Sequence, residues 1–346
     1  MAKPWIPKRV LVTRSAREWD HGREVAARAA ALGCEVTELP SDRVLTGDLS
    51  YAEAKSTLAV TVAPPSKRKL QPIPPSADWR VDLAEGCPAH CAYCYLAGSL
   101  KGAPITRVYA NLPEILAELP RHLGGGTITS RSEARAHEGT TFEASCYTDP
   151  LGIEPLTGSL QALIGYFGAW EADAQLRFTT KFADVEPLLG LDHGGRVRMR
   201  ASVNPPAYAR FEGGTDRVAD RLAALRRMAD AGYLVGLTVA PIIAAPGWEQ
   251  AYDGLIGDIG AAFDGSTADL TMELITHRFT PGSKLVLESW YPGSKLDMGA
   301  VGRTEKRTKF GTVKHVYDRE TMKTLRTFFE ERIAARLPQA RVLYWT

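Results

Sequence analysis

Three of the chain's five cysteines crowd into eight positions, in Gly86-Cys87-Pro-Ala-His-Cys91-Ala-Tyr-Cys94-Tyr-Leu, and this cluster constrains the fold more than any other feature. Such a segment is a loop that presents three thiols together, so the rest of the chain must supply a scaffold that holds it. In a chain with so few cysteines the spacing would arise by accident on the order of once in a thousand cases. The remaining two, Cys34 and Cys146, leave an odd total, which suits a reducing compartment and metal chemistry better than a disulfide framework. The formal net charge is only +2, so any contact with nucleic acid must come from a local patch rather than a global field. Met1-Ala-Lys-Pro lacks the apolar stretch of a secretory signal. No run approaches the roughly 20 apolar residues of a membrane span, and a cytoplasmic protein without a membrane partner is expected.

The scaffold reads as α/β. Residues 8–14 suit a strand, 16–32 a helix stopped by Gly33, and 35–39 a second strand, which together make a small amino-terminal α/β unit over residues 1–75. Cys34, just past the helix stop, has no partner in sequence and is read as a small buried side chain. Residues 63–78 are rich in proline and Lys/Arg, too punctuated for helix or ladder, and mark a boundary before a second unit over 76–346. There, short apolar runs at 80–84, 140–145, 175–180, 197–203, 234–240 and 269–274 alternate with helical patterns at 113–122, 159–170, 216–231 and 248–263. Within 216–231, Val218, Leu222, Leu225 and Ala229 recur at helical spacing and face inward. Strict alternation implies parallel strands with right-handed crossovers, hence an open sheet or a full or partial barrel, with function at the carboxyl ends of the strands. A long amphipathic helix at 318–337 and a last strand at 341–344 close the chain.

Three thiolates on one short loop can hold three irons of a cubane [4Fe–4S] cluster and leave the fourth iron without a protein ligand. An amino acid's amine and carboxylate can chelate that iron, which sets a sulfonium beside a low-potential electron donor and lets a carbon–sulfur bond break to a 5′-deoxyadenosyl radical. Structural zinc is the bland alternative, but it wants four closed ligands, usually as two pairs, and no second pair exists here. His90 lies beside Cys91 with poor geometry for a fourth ligand. A four-thiolate electron-transfer cluster completed by Cys146 remains open.

A CX3CX2C loop with an aromatic, Tyr93, just before its last cysteine resembles the signature of the radical S-adenosylmethionine superfamily. The likeness narrows further along the chain. Cys87-Pro-Ala-His-Cys91-Ala-Tyr93-Cys94-Tyr95-Leu and Arg107-Val-Tyr-Ala-Asn111-Leu look like spore photoproduct lyases. So do Thr141-Phe-Glu-Ala-Ser-Cys146-Tyr-Thr-Asp149-Pro-Leu-Gly-Ile-Glu154, Phe178-Thr-Thr-Lys181-Phe, Ser202-Val-Asn204-Pro, Thr276-His-Arg-Phe-Thr280 and Ser294-Lys-Leu-Asp-Met298. The likeness runs from about residue 80 to residue 317 and is weaker over the first 75.

That resemblance implies a partial (β/α)6-type barrel with a small amino-terminal α/β extension and a carboxyl-terminal helical and hairpin addition. It also implies a [4Fe–4S] cluster on Cys87, Cys91 and Cys94, with S-adenosyl-L-methionine as co-substrate. Cys146 would be the hydrogen donor that quenches a product radical, and Tyr93 and Tyr95 would relay hydrogen back to the cofactor. Lys181, Ser202 and Asn204 would offer a cation, a hydroxyl and an amide to S-adenosylmethionine, with Thr148 where the family often carries serine. The expected partners are DNA containing a thymine photodimer lesion and a reductant such as flavodoxin or ferredoxin. Plainer readings stand beside these. Cys146 can be a structural thiol, Tyr93 can pack on adenine while Tyr95 fills core, and Asp149 and Glu154 can orient a loop, accept ribose hydroxyls or pair in salt bridges. The cationic stretch from Arg303 to His315, with Lys306, Arg307, Lys309 and Lys314 around a turn at Gly311, suits either a hairpin on phosphates or a solvated surface. A paralogue acting on another nucleic-acid lesion, or a non-catalytic iron–sulfur protein of DNA binding or electron transfer, are the rival functions.

Overall fold

The computed structural model describes residues 4–47, 49–100, 102–128, 132–307 and 311–346. Its first strands, β1 (Arg9–Val12), β2 (Glu35–Glu38) and β3 (Thr57–Thr61), pair in parallel in the order β2-β1-β3, as the helix Asp20–Ala31 between β1 and β2 requires. β4 (Gln71–Ile73) then lies antiparallel to β5 (Ala77–Val81) and opens a larger sheet. From there β6 (Ala84–Glu85) and β8 (Thr106–Tyr109) return to the small sheet, β8 beside β3 and β6 antiparallel to β8. Between them β7 (His90–Cys91) stands apart. Sheet-forming residues on both sides of position 75 therefore build the small sheet, whose core includes Val10, Val12, Leu58, Val60, Val108 and Cys34.

β9 (Thr140–Ala144), β10 (Ala174–Thr180) and β11 (Val197–Val203) continue the large sheet in parallel. A two-residue strand, β12 (Glu212–Gly213), pairs antiparallel with β7, and β13 (Leu234–Ile242) and β14 (Leu270–Thr276) extend the large sheet. The hairpin β15 (Arg303–Arg307) and β16 (Val313–Tyr317) projects before helix Arg319–Arg336 and the last strand, β17 (Arg341–Trp345). The large sheet runs in the order β17-β14-β13-β11-β10-β9-β5-β4.

This sheet is curled into a partial barrel, and its side chains show it. Arg200 on β11 is paired with Glu143 on β9 and with Glu273 on β14, each two strands away. Arg177 on β10 also comes within 3.9 Å of Glu273 on β14, three strands and about 14 Å away in a flat sheet, a span that is closed by curvature. Arg177 meets Glu138 at 2.8 Å in the same interior, and Tyr344 donates to Glu273 at 2.9 Å. The concave face is thus lined by charge, while helices such as Ser159–Ala169 and Val218–Asp230 bury their apolar stripes on the outside.

Two expectations from sequence are corrected. Residues 63–78 do form regular structure, a short helix Pro65–Arg68 and the strand β4. Pro72 is tolerated because β4 is the outermost strand of its sheet. The helix expected over 113–122 is broken into Leu112–Leu116 and a 3-10 turn Leu119–His122, where Pro120 has no N–H to continue the ladder.

Candidate active site at the carboxyl edge of the barrel

The cysteine loop is held from three directions. It leaves the small sheet at Gly86, whose φ of 79° favours glycine and where a Cβ would overlap the Ile105 carbonyl. It is then clamped by β7, in which Cys91 stands opposite Glu212, and by the Ala92 N–H, which donates to the Phe211 carbonyl at 2.9 Å. Lys55, buried and far away in sequence, donates to the carbonyl oxygens of Cys87 and Ala89. His90 turns its Nδ1 to the Tyr51 hydroxyl at 3.2 Å. Burial pushes the Cys87 thiol up to about 12, against the pull of Lys55, and raises Cys91 and Cys94 as well. Among the described residues no three His, Cys, Asp or Glu side chains converge on a single-ion site. The loop's donor set suits an iron–sulfur cluster nonetheless: three soft sulfurs, each disfavoured as a bare thiolate, on a backbone already fixed by other groups.

The loop meets the barrel at Glu212, a residue that sequence reasoning missed. Its carboxylate accepts from the Tyr93 hydroxyl, from Lys181 Nζ at 2.8 Å and from Asn204 Nδ2 at 3.4 Å, and it pairs with Arg221 at 2.7 Å. Burial works to raise this carboxyl, but Lys181 and Arg221 outweigh it and hold it down at about 2. Lys181 also donates to the Ser202 hydroxyl at 2.9 Å and lies 5.5 Å from the centre of the Tyr93 ring. Asn204 accepts from the Tyr252 hydroxyl at 3.0 Å. Tyr93, Lys181, Ser202 and Asn204, chosen from the sequence for different reasons, form one network.

Tyr95 belongs to a second group. Tyr95 is 63% exposed, so it does not fill core, and its hydroxyl donates to the carbonyl oxygen of Cys146. Cys146 sits just past β9, where Ser145 takes a φ of 51°, in the left-handed region that non-glycine residues seldom enter. That turn is pinned by the Ser145 N–H on the Val81 carbonyl at 2.7 Å and by the Leu83 N–H on the Ser145 hydroxyl at 3.2 Å.

Other expected residues sort differently. Thr148 is close by, and its Oγ1 is buried without a hydrogen-bond partner. Asp149 orients the loop before Lys181, accepting from the Lys181 N–H and the Thr180 hydroxyl, both at 2.7 Å. Glu154 accepts from the N–H groups of Leu160 and Gln161 and so caps helix Ser159–Ala169. In the hairpin, Arg303 is a fixture of the base, donating to the His277 carbonyl at 2.7 Å and lying 3.8 Å from the Tyr317 ring centre. Lys306 and Arg307 are exposed, Lys306 stands opposite Lys314, and Lys309 lies outside the described residues.

A curled parallel sheet that carries a CX3CX2C loop, a Lys–Glu–Tyr network and a lone thiol at its carboxyl edge defines an enzyme of the radical S-adenosylmethionine kind. Comparison with known proteins narrows the class. The family model described as spore photoproduct lyase matches residues 5–346, and the chain belongs to that family. The spore photoproduct lyase of a Geobacillus species is 38% identical, with 99% of this chain and 100% of that one covered. The Bacillus subtilis enzyme of the same name is 35% identical, with both chains covered in full. A solved spore photoproduct lyase complexed with dinucleoside spore photoproduct superposes with a TM-score of 0.90 at 38% identity, covering 99% of this chain and 100% of that one. A variant with bound AdoMet and the same dinucleoside matches at a TM-score of 0.90 and 37% identity, with the same coverage. Among the described residues no helix is long and apolar enough to cross a membrane.

Proposed function

We propose that this chain is a DNA repair lyase that reverses the spore photoproduct, 5-thyminyl-5,6-dihydrothymine, to two thymines. Cys87, Cys91 and Cys94 would hold a [4Fe–4S] cluster, which with S-adenosyl-L-methionine would supply the 5′-deoxyadenosyl radical that takes a hydrogen from carbon 6 of the adduct. The remaining roles fall to this chain's own side chains. Lys181, Ser202, Asn204 and Thr148 offer a cation, two hydroxyls and an amide to the co-substrate, and Tyr93 packs beside it. The buried, partnerless hydroxyl of Thr148 supports its place in that set, because a shielded hydroxyl without a partner is costly unless a ligand satisfies it.

After the methylene bridge between the thymines breaks, Cys146 gives up its hydrogen atom: the S–H bond breaks, a C–H bond forms on the product, and a thiyl remains. Tyr95, whose hydroxyl is on the Cys146 carbonyl, returns a hydrogen atom to that sulfur and takes one from Tyr93, and Tyr93 takes one in turn from 5′-deoxyadenosine, so that the hydrogen abstracted at the start goes back into the chain. The Tyr95–Cys146 contact carries the reading, since it joins the residue next to Cys94 to a thiol outside the cluster loop. The exposed cations of the hairpin fit the phosphates that flank a lesion, which must leave the base stack to reach so deep a site. A low-potential donor such as flavodoxin or ferredoxin is the reductant of this reading, and an enzyme of chromosomal DNA works in the cytoplasm.

The test is turnover of dinucleoside spore photoproduct by the anaerobically reconstituted protein. Thymine formation is expected. Formation of 5′-deoxyadenosine without thymine would point to a paralogue with another lesion, and neither product to a non-catalytic cluster protein.

A further inference from the structure

The turn that carries Cys146 is held against β5 and the residues just past it, and the proposed reaction has no use for the charged groups there, Arg80 and Asp82. Val81 is opposite Ala144 in the ladder, and the two bonds on Ser145 come from the residues that bracket Asp82. Asp82 is therefore fixed beside the turn that carries Cys146. One of its oxygens accepts from Arg80 Nε at 2.9 Å, while the other, Oδ1, is buried without a hydrogen-bond partner. The Arg80 guanidinium lies 4.2 Å from the ring centre of Tyr147, the residue after Cys146. Period two along the strand puts Arg80 and Asp82 on one face, and the register puts Arg80 opposite Glu143. Glu143 is committed to Arg200.

A hydrogen-atom donor must keep its proton. A thiol gives a proton and an electron together to a carbon radical, whereas a thiolate can give only the electron and is also prey to alkylation and oxidation. Cationic surroundings, which activate nucleophilic cysteines elsewhere, would be harmful here. This site holds two guanidinium groups, Arg80 and Arg200, and sets a carboxylate against each. Resting on the reading of Cys146 as hydrogen donor, we infer that Asp82 is a positioning residue that offsets the Arg80 guanidinium, as Glu143 offsets Arg200, so that the cations at the barrel mouth do not draw the proton off Cys146.

The charge balance supports this. Burial raises the Cys146 thiol well above its ordinary value, Glu143 and Asp82 raise it further, and Arg80 and Arg200 pull it down. Asp82 is raised by burial and lowered by Arg80, to about 6, so it is charged at neutral pH. The groups facing Asp82 besides Arg80 are Glu85 and Lys67, which are paired with each other. Tyr95 also faces Cys146, through its backbone carbonyl.

The experiment follows the pH profile of Cys146 alkylation by iodoacetamide in anaerobically reconstituted protein, read on the Cys146 peptide by mass spectrometry. Asp82→Asn removes the anion and leaves Arg80 unopposed, so alkylation at neutral pH should rise, by roughly tenfold for each unit the profile moves. Arg80→Gln removes the cation and should slow it. Asp82→Glu keeps the charge and should follow the parent protein. A loosened fold would move the Asn and Gln variants in the same direction. That outcome, reversed signs, or no shift in either variant would overturn the inference. Clean thymine formation by Cys146→Ala would instead remove the donor role, and leave the alkylation result standing.

Discussion

The hydroxyl of Tyr95 donates a hydrogen bond to the backbone carbonyl of Cys146, 51 residues further along the chain. This contact ties the cluster loop to the end of β9 through a residue that is otherwise exposed. In Tyr95→Phe the ring remains and the O–H is lost. Iron content and 5′-deoxyadenosine formation should survive. Thymine formed per 5′-deoxyadenosine should fall by at least the fivefold that one lost hydrogen bond of about 1 kcal/mol represents. Equal yields in the variant and the parent would remove Tyr95 from the relay.

Cysteine replacements should separate two roles. Cys87→Ser is expected to lose most of its iron and all cleavage of S-adenosylmethionine. Cys146→Ala should retain both while thymine gives way to misdirected products. Iron analysis and product chromatography on the pair decide it, and a Cys146→Ala protein depleted of iron would favour a cluster with four thiolates.

Glu212 joins Tyr93, Lys181, Asn204 and Arg221, so Glu212→Gln strips the charge from a buried network. Breaking one partner of a buried pair costs ~3–5 kcal/mol, measurable by urea unfolding. The acid limb should change as well. Because the folded carboxyl is held near 2 against an ordinary 4.5, its stabilising contribution is complete above pH 4.5 and disappears as pH falls toward 2. Glu212→Gln should flatten that limb of the stability profile.

The barrel interior makes its own prediction. Arg200→Leu leaves Glu143 and Glu273 buried without their shared cation, and a destabilisation of about 3–5 kcal/mol is expected in urea melts. Adding Glu143→Gln to the same chain should recover part of it. Full additivity of the two substitutions would contradict the pairing.

If the hairpin touches phosphates, Lys306→Ala with Arg307→Ala should weaken binding to lesion-bearing duplex. The salt dependence should shrink by about 1 in log–log slope for each phosphate that is no longer neutralised. Turnover of the dinucleoside, which carries no flanking phosphates, should change far less. Filter binding across a salt series reads this directly.

Much of the scaffold is legible in the sequence because barrel strands are short apolar runs bounded by turn residues. The run at 197–203 matches its strand end to end and the other expected strands agree to within about three residues, whereas β3 and β8 of the small sheet are not among those the sequence marks. The cysteine loop announces itself by spacing. Glu212 and Lys55 do not, because each acts on the loop from a distant stretch whose local sequence says nothing of the contact. Arg198, Arg200 and Ser202 alternate along β11 and so advertise an inward polar face, but only the sheet's curvature shows what they meet. The broken helix at Pro120 and the edge strand at Pro72 show the limit of local rules. Proline's effect depends on whether a neighbour needs its missing donor.

The sharing of β6 and β8 with the small sheet makes the segment that carries β1, β2 and β3 a framework for the reactive loop. Lys55 clasps that loop from within the same segment. Excising the segment to obtain a minimal catalytic fragment would remove the clasp together with the wall behind it.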